Sequence, residues 1–377
     1  MYWSSQAQFE VGHAPMAEHV ALVLHQMSGG GSERIAIRLA NAWAAAGRRV
    51  TLLCGDVDGP LAELVCPAIE IVALRHRGPA SRSDLGRALA AQVRTLDPDV
   101  VVGPGNYHVP ILSAMLGALG SDRPAVVSKI SNPLRRADRS RLAQAAFGMA
   151  FRRHTRRFDA LVAMSPVFAA EASFVTGRHD IACIDEPNLD AMPACGPVAR
   201  SGTILCVGRL TRQKNFALAL DAFARMRPFY RLVILGDGEQ RQMLQQRAET
   251  LGIASRVRFE GYVSDVPRYL AQADALLCTS LYEGYPAALI EALAAGVPIV
   301  STPCSIALPE ILTHESFGTI AAPHPADLAA VTEELIERRE APAVAPLTEL
   351  ARRHQLPRSA NAWLRLLDRA VAARAVA

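Results

Sequence analysis

Residues 275–302 read ALLCTSLYEGYPAALIEALAAGVPIVST, and this stretch decides the fold class. The first six residues, 275–280, are an apolar run of strand length that ends before a turn containing Gly284. Apolar residues then recur at helical spacing from Pro286 to Ala295, and a second apolar run follows at 298–302. A helix between two nearly continuous apolar strands is typical of a parallel sheet covered on both faces. The stretch therefore predicts an α/β fold.

The same alternation runs through both halves of the chain. We predict further strands at 19–27, 49–55, 99–103, 125–131, 160–165, 203–208, 231–236 and 257–261. We predict helices at 33–47, 84–98, 216–226, 239–251 and 266–272, and a last amphipathic helix at about 358–376. Sheets of this doubly wound type are Rossmann-like and bind ligands at the carboxyl ends of their strands.

The stretch 185–202 separates the two series of strands. It is rich in Pro, Gly and Ala and has little periodicity, so we interpret it as an interdomain linker. We therefore predict two doubly wound domains, at 1–186 and 187–355, with a helix at about 356–377 that packs back on the first domain. If the strand ends of the two domains face each other, the cleft between them can hold two substrates.

The composition is that of an ordinary globular protein. The 377 residues are 50% hydrophobic and 20% charged, with a formal net charge of +4. The length suits two domains, and the mild basic excess fits an anionic substrate or a membrane surface without requiring either. The cysteines form no Cys-x-x-Cys pair, so we expect free thiols in a reducing compartment. No apolar run reaches the roughly 18 residues of a membrane span, and we expect a cytoplasmic protein.

Two glutamates flank the start of the helix in the opening stretch. Glu283 precedes the helix, and Glu291 lies inside it, eight residues later. The unpaired N–H groups of a helix N-terminus favour a phosphate, and carboxylates accept hydrogen bonds from sugar hydroxyls. We expect Glu283 to reach a sugar beyond the phosphate and Glu291 to reach a ribose. The alternative is that both are exposed helix residues without a function.

A second charged motif lies upstream, in GRLTRQKN at 208–215. Arg209 and Lys214 are five residues apart and flank the end of a strand and the start of a helix. Two cations that converge on one point suit a nucleoside diphosphate, because they offset the charge that develops on a leaving phosphate. Considered alone, without the glutamate-containing stretch, Arg209 and Lys214 would be interpreted as solvated charges on the protein surface.

Together these motifs resemble glycosyltransferase family 4, the large retaining family with the GT-B fold. The resemblance rests on Glu-x7-Glu followed by AAGVPIV, on GRLTRQKN, on LGDGEQRQMLQ at 235–245 and on the glycine loop GGGSER at 29–34. It is strong from about 203 to 322 and looser before 185. It implies two Rossmann-like domains facing across a cleft. It also implies transfer of a sugar from a UDP- or GDP-linked donor to a glycan acceptor, with retention of configuration.

The resemblance further implies roles for individual residues and no metal or other cofactor. The catalytic candidates are Glu283, Arg209, Lys214 and His108, with Glu283 holding the donor sugar rather than acting as a covalent nucleophile. The donor-binding candidates are Gly30, Gly31, Gly208, Gly284, Tyr285, Pro286, Ala287, Ala288 and Glu291. Asn132, in another loop at the same sheet edge, and the nearby Arg135 and Arg136 are the acceptor candidates. For His108, a surface or packing role is the open alternative.

The segment from Arg135 to Arg157 surrounds the apolar run AQAAFGMAF with arginines, namely Arg135, Arg136, Arg139, Arg141, Arg152, Arg153, Arg156 and Arg157. It has few aromatic residues for stacking on bases, so we predict no nucleic acid partner. A basic amphipathic helix suits an anionic membrane, and many family members use lipid-linked acceptors. We therefore expect a polyprenyl-diphosphate-linked acceptor in bacterial polysaccharide assembly and contact with the inner face of the plasma membrane. A solvated helix face is the alternative.

Other motifs in the sequence allow alternative interpretations. Asp56-x-Asp58 and Asp97-x-Asp99 have the metal-binding form seen in another glycosyltransferase fold, but we interpret them as loop and capping carboxylates beside strands of the first domain. The loop GGGSER lacks the Gly-x-Gly-x-x-Gly fingerprint of dinucleotide binding. A nucleotide-sugar epimerase, a phosphorylase on the same fold and a non-catalytic nucleotide-sugar-binding protein stay open as alternative functions.

Overall fold

The computed structural model of the chain describes residues 17–27, 30–74, 81–136, 139–189, 201–338 and 343–375. The chain divides into two compact units. The first contains residues 1–190 and 354–377, and the second contains residues 191–353. Each unit has a parallel sheet with flanking helices, which confirms the α/β class that the apolar strands predicted.

In its described residues, the first unit is built on parallel strands that form one sheet. They are β1 (His19–Gln26), β2 (Arg49–Asp56), β3 (Glu70–Ala73), β4 (Val100–Gly103), β5 (Ala125–Ile130), β6 (Ala160–Ala163) and β7 (Ala182–Cys183). The order in the sheet is β3-β2-β1-β4-β5-β6-β7. The direction of winding changes between β1 and β4, and ligands bind outside the carboxyl ends of the strands at such a point. The loops after β1 and β4 are therefore positioned as binding loops.

Helices cover both faces of this sheet. They are α1 (Gly31–Ala45), α2 (Arg82–Leu96), α3 (Val109–Leu119), α4 (Arg141–Thr155) and α5 (Pro166–Thr176). The inner strands of the sheet are buried from both sides, because each face packs against a separate apolar cluster, whereas the edge strands β3 and β7 are more exposed. Within the described residues, no helix combines the length and apolar character that crossing a bilayer requires.

The second unit repeats the design with a parallel sheet in the order β10-β9-β8-β11-β12-β13. Its strands are β8 (Thr203–Val207), β9 (Arg231–Leu235), β10 (Val257–Gly261), β11 (Ala275–Cys278), β12 (Ile299–Ser301) and β13 (Gly318–Ile320). Its helices are α6 (Phe216–Phe223), α7 (Arg241–Thr250), α8 (Val266–Leu270), α9 (Ala287–Ala294), α10 (Leu308–Ile311), α11 (Pro325–Arg338) and α12 (Val344–Arg353). The winding changes between β8 and β11, so the loops after these strands meet at one edge.

The last helix, α13 (Leu356–Ala375), belongs to the first unit although it follows the second in the chain. Its Trp363 and Leu367 are buried in the same cluster as Trp43 of α1. The two indole rings have centroids 6.0 Å apart and are tilted by 55°. Arg48 adds a polar contact to α13, since its guanidinium donates a hydrogen bond to Asp368 Oδ2 at 3.0 Å. The apolar face of α13 is therefore part of the core of the first unit.

Residues 185–189, the start of the stretch that lacks periodicity, pack within the first unit. Glu186 is buried and accepts a hydrogen bond of 2.6 Å from Lys129 Nζ of β5. Leu189 N donates to His354 O at 3.0 Å, and His354 Nδ1 lies 2.8 Å from Glu186 O. A local pattern gives no sign of this packing, because every partner is distant in sequence. Residues 190–200 of the stretch lie outside the described residues.

Candidate functional site

The loop after β8 positions Lys214 by means of a glycine. Gly208 has φ of 150°, and its N–H donates to Leu235 O at 2.9 Å. A Cβ added to Gly208 would lie 2.8 Å from Lys214 Cε, so the lysine side chain runs directly over this glycine. Gly236 packs directly against Gly208, because a Cβ added to Gly236 would lie 2.0 Å from Gly208 O. Both positions require glycine for the close approach that fixes the lysine.

Hydrogen bonds join this loop to the loop after β11. Thr279 Oγ1 donates to Lys214 O at 3.2 Å and to Asn215 O at 3.1 Å. Leu281 N donates to Gln213 O at 2.8 Å, and Gln213 Nε2 donates to Tyr282 O at 2.9 Å. The two loops, whose hydrogen-bonded residues are 64 or more positions apart in the chain, are thus held side by side. Thr279 and Gln213 were not singled out from the sequence.

Lys214, Glu283 and Ser280 form a compact polar cluster. Lys214 Nζ donates to Glu283 Oε1 at 2.6 Å, and Ser280 Oγ donates to the same oxygen at 2.7 Å. Glu283 is only 8% exposed, and no described residue hydrogen-bonds to its other oxygen, Oε2. A carboxylate held in this way has one oxygen committed to the protein and one available to a hydroxyl donor.

The cluster keeps Lys214 charged. Burial disfavours the ammonium most strongly, but the charge and hydrogen bond of Glu283 and the nearby Cys278 and Cys304 together raise the pKa of Lys214 above its ordinary value. Lys214 is therefore a cation at neutral pH, which suits an anionic ligand. Arg209, the other predicted cation of the motif, is exposed, and its side chain makes no hydrogen bond or ion pair with the residues that the structure describes.

The helix after Glu283 begins one residue later than the sequence indicated. Pro286 is the N-cap residue, with an extended ψ of 103°, and α9 starts at Ala287. No side chain caps the first turn, so no capping group competes with a phosphate for the N–H groups at this end of the helix. Gly284, Tyr285 and Pro286 are buried, Ala287 and Ala288 are half-buried, and Glu291 lies half-buried in the second turn.

A third loop, after β12, supports the other two and was missed in the sequence. Glu283 N donates to Cys304 O at 2.7 Å. Thr302 Oγ1 donates to Ser280 O at 2.8 Å, and Ser305 Oγ donates to Gly284 O at 2.6 Å. No local sequence signal marks this loop, because it meets the loop that carries Glu283 only through the strand order, in which β12 lies next to β11.

In the first unit, His108 follows β4 and is buried. Neither ring nitrogen has a hydrogen-bond partner among the described residues. Burial lowers the pKa of His108 to about 4, so the ring is neutral near pH 7 and can donate from one nitrogen and accept at the other. Its neighbour Tyr107 lies against His25, with ring centroids 4.5 Å apart. His25 and Tyr107 were not identified from the sequence.

The side chain of Asn106 connects the loop of His108 to the loop of Asn132 by hydrogen bonds. Asn106 Oδ1 accepts from Ser131 N at 2.9 Å, and Asn106 Nδ2 donates to Asn132 O at 2.9 Å. The loops after β4 and β5 are therefore fixed to each other, which places His108 and Asn132 at one edge of the sheet. Asn106 was also missed, although its place behind Gly105 in a turn is a local signal.

The other acceptor candidates are anchored to the helices α4 and α5. Arg135 N donates to Glu171 Oε1 at 2.9 Å, and the Arg135 guanidinium lies over the ring of Phe174, 5.3 Å from its centroid. Arg136 N donates to Gln144 Oε1 at 3.0 Å. The structure thus associates the Arg135 side chain with α5.

The glycine loop is described only from Gly30 onward, and Gly29 lies outside the described residues. Gly30 is the N-cap of α1, and Arg34 N donates to Gly30 O at 3.0 Å. A Cβ on Gly30 would lie 2.0 Å from Glu33 Oε2, so this carboxylate lies beside the helix N-terminus. Gly31 is open, with no atom near the position of an added Cβ.

The two Asp-x-Asp segments serve local structure. Asp99 Oδ2 accepts from His19 N at 2.8 Å, and Asp56 Oδ1 accepts from Asp58 N at 3.1 Å. Asp97 has φ of 46° at the end of α2. Across the described ranges, no three His, Cys, Asp or Glu side chains form a group suited to a metal ion.

Comparison with known proteins identifies relatives of both halves of the chain. Residues 196–349 match the family model of glycosyl transferases group 1, and residues 29–182 match that of glycosyltransferase family 4. The chain is 36% identical over 127 residues to the lipopolysaccharide core biosynthesis glycosyltransferase LpsE of Rhizobium meliloti. That alignment covers 34% of this chain and 35% of LpsE, so the chain spans about a third of the length of this relative.

A second relative is N-acetylgalactosamine-N,N'-diacetylbacillosaminyl-diphospho-undecaprenol 4-alpha-N-acetylgalactosaminyltransferase of Campylobacter jejuni. It is 32% identical over 117 residues, which cover 31% of this chain and 32% of that protein. Among solved structures, Anabaena HepE in complex with UDP-glucose superimposes with a TM-score of 0.71 at 20% identity, over 95% of this chain and 99% of HepE. This likeness confirms the GT-B fold. With a family match in each half, the chain belongs to the group 1, family 4 glycosyltransferases.

Proposed function

We propose that this protein transfers a sugar from a nucleoside-diphosphate sugar to a glycan acceptor with retention of configuration, without a metal. The observation that carries the proposal is the cluster of Lys214, Glu283 and Ser280, held together by three loops at the carboxyl ends of β8, β11 and β12. The complex of Anabaena HepE with UDP-glucose supports a nucleotide-sugar donor.

In this proposal the charges act on the leaving group. The donor diphosphate lies between the N-terminus of α9 and the cations Arg209 and Lys214, which offset the charge that develops as the bond from the anomeric carbon to phosphate breaks. Glu283 Oε2 accepts from a hydroxyl of the donor sugar, and Glu291 accepts from the ribose. The acceptor hydroxyl attacks the anomeric carbon on the face of the departing phosphate, whose oxygen takes the proton. The configuration is then retained without a protein nucleophile.

A thermal-shift experiment tests the donor class. We expect UDP or GDP to raise the melting temperature of the full chain, because a ligand at about 100 times its Kd stabilises by about 2.7 kcal/mol. For a unit of this size that is a shift of roughly 5–10 °C. The matching nucleoside without phosphates should give no shift. Absence of a shift with UDP, GDP and their sugar conjugates would remove the proposal.

The transfer assay separates the remaining alternatives. Incubation of the donor with and without a lipid-extracted glycan acceptor should give a longer glycan only when both substrates are present. A new sugar nucleotide formed without acceptor would indicate an epimerase, and a requirement for inorganic phosphate would indicate a phosphorylase. Binding of a donor with no turnover on any acceptor would indicate a non-catalytic protein.

We further propose a polyprenyl-diphosphate-linked acceptor in bacterial polysaccharide assembly, presented at the inner face of the plasma membrane. The Campylobacter relative is named for a diphospho-undecaprenol acceptor, and the Rhizobium relative is named for lipopolysaccharide core biosynthesis. A surface of this chain gives independent support. It consists of Leu142, Met149 and Phe174 on α4 and α5 and is called the α4–α5 surface below.

The α4–α5 surface combines exposed apolar groups with positive charge. Leu142 is 85% exposed and Met149 69%, and they are seven residues apart on one face of α4. Phe174 of α5 is 76% exposed and lies under the guanidinium of Arg135. Exposed arginines that surround these side chains in the chain are Arg141, Arg152, Arg153 and Arg156. Apolar groups that enter the headgroup region and arginines that meet anionic lipid together favour binding to a membrane surface.

A negative charge placed on the α4–α5 surface should weaken membrane binding. We expect Met149→Glu to lower the partition of the protein onto vesicles of phosphatidylcholine and phosphatidylglycerol by at least about tenfold, because the helix loses apolar burial and gains repulsion from the lipid. Co-sedimentation measures the effect. The matched control is Met243→Glu on α7, a half-exposed methionine of the second unit. Equal binding of the two variants would contradict the proposal.

A further inference from the structure

Two cysteine side chains meet directly below the polar cluster. Cys278 is the last residue of β11, and Cys304 lies three residues after the end of β12. Their Sγ atoms are 3.9 Å apart. Ser280 Oγ lies 3.7 Å from Cys278 Sγ, and Ser301 Oγ lies 3.6 Å from Cys304 Sγ. The thiol pair therefore lies next to the polar cluster, because Ser280 contacts both Cys278 and Glu283.

The two thiols are chemically unequal. Cys278 is half-buried and Cys304 is buried, so Cys278 is the thiol that a small reagent reaches first. The hydrogen bond with Cys304, helped by the charge of Lys214, lowers the pKa of Cys278 to about 6, and the same contact raises the pKa of Cys304. Because the thiolate is the reactive form, Cys278 has the character of an attacking thiol and Cys304 that of a resolving thiol.

We propose that Cys278 and Cys304 form an oxidisable dithiol, a modification site for hydroperoxides, whose disulfide disables donor binding. The disabling effect depends on the proposed function, whereas formation of the disulfide does not.

The reaction has two steps. The Cys278 thiolate attacks the O–O bond of hydrogen peroxide, which forms a sulfenic acid and releases hydroxide. Cys304 Sγ then attacks the Cys278 sulfur, the S–O bond breaks, and the hydroxyl leaves as water with the thiol proton. The proton lost when the Cys278 thiol ionises converts the released hydroxide to water. In total, two thiols lose two electrons and two protons, and one peroxide is reduced to two waters.

Formation of the disulfide would alter the donor site through hydrogen bonds to Glu283. An S–S bond is about 2.05 Å long, so the two sulfur atoms must approach from 3.9 Å. Cys304 O accepts the hydrogen bond from Glu283 N, and Ser280, two residues from Cys278, donates to Glu283 Oε1. Movement of either cysteine backbone therefore displaces Glu283 from Lys214. In the reduced protein, these contacts stay intact.

Peroxide treatment of the full chain tests the proposal. We expect peptide mass spectrometry to find Cys278 linked to Cys304, UDP or GDP binding to weaken at least about tenfold, and dithiothreitol to reverse both changes. The Cys278→Ala variant should bind UDP or GDP with the same affinity before and after peroxide treatment. Cys183→Ala, which removes an exposed cysteine of the first unit, should respond as the unaltered protein does.

Two results would overturn the proposal. One is that both thiols remain open to alkylation after peroxide treatment, and the other is that the linked protein binds nucleotide as the reduced protein does. Failure of the reduced protein to bind any nucleoside diphosphate would count against the proposed function instead. In that case, the peptide masses still decide whether the dithiol forms a disulfide.

Discussion

Replacing Lys214 by Met is expected to lower the rate of sugar transfer by about 10- to 100-fold. The ammonium makes a charge-assisted hydrogen bond of 2.6 Å to Glu283 and, in the proposed mechanism, meets the developing charge on the leaving phosphate. Loss of a hydrogen bond to a charged group costs about 1.5–3 kcal/mol, and each 1.4 kcal/mol is about tenfold in rate. Steady-state kinetics of transfer with a fixed acceptor measure the effect.

The same loop offers a matched control for Lys214. Arg212 is exposed, lies two residues away and carries the same charge, so Arg212→Met should keep the rate within about twofold. A double-mutant cycle with Glu283→Gln should show losses that do not add, because the two side chains share one hydrogen bond. A Lys214→Met protein as active as the Arg212→Met protein would refute the proposed role of the cluster.

Replacing Lys129 by Met is expected to destabilise the first unit by about 3–5 kcal/mol. Lys129 and Glu186 form an ion pair of 2.6 Å with side chains only 4% and 7% exposed. Removal of one partner leaves a buried, uncompensated charge, which is far costlier than the net value of the pair. Urea unfolding followed by tryptophan fluorescence reports on this unit, because Trp43 and Trp363 lie in its core.

Removal of both charges provides the decisive comparison. The double variant Lys129→Met/Glu186→Leu should regain most of the stability, since no charge then remains buried without a partner. Arg87→Met is the matched control within the same unit, because Arg87 pairs with Asp84 at the surface and such pairs contribute about 0–1 kcal/mol. A loss for Lys129→Met no larger than that for Arg87→Met would contradict the argument.

The fold class followed from the sequence because its signals are local. The apolar runs at 203–208 and 275–280 match the buried strands β8 and β11, and strands buried on both faces need near-continuous apolar residues. The family followed from four short stretches of sequence, and the family models confirm it. Helix ends were less well predicted. The helix expected from Phe216 to Met226 ends at Phe223, because helix termini depend on capping and on tertiary contacts.

The candidate site was predicted only in part. Arg209, Lys214 and Glu283 were singled out because charged residues near helix starts are visible in a single sequence, and their roles stay predictions. Ser280, Gln213 and Ser305 were not singled out. Gln213 and Ser305 each donate a hydrogen bond to a residue of another loop, whereas Ser280 donates to Glu283 of its own loop. Hydroxyl and amide side chains are too common in any sequence to indicate such contacts.

The sequence by itself therefore determined the α/β class, the family and the charged motifs, because periodicity and motif spacing are properties of neighbouring residues. Only the tertiary structure decided that Lys129 pairs with Glu186, that Cys278 meets Cys304 and that Lys214 runs over Gly208 to Glu283. These contacts join residues that the order of strands in each sheet brings together. Strand order is set by the packing of the whole unit, and no local pattern records it.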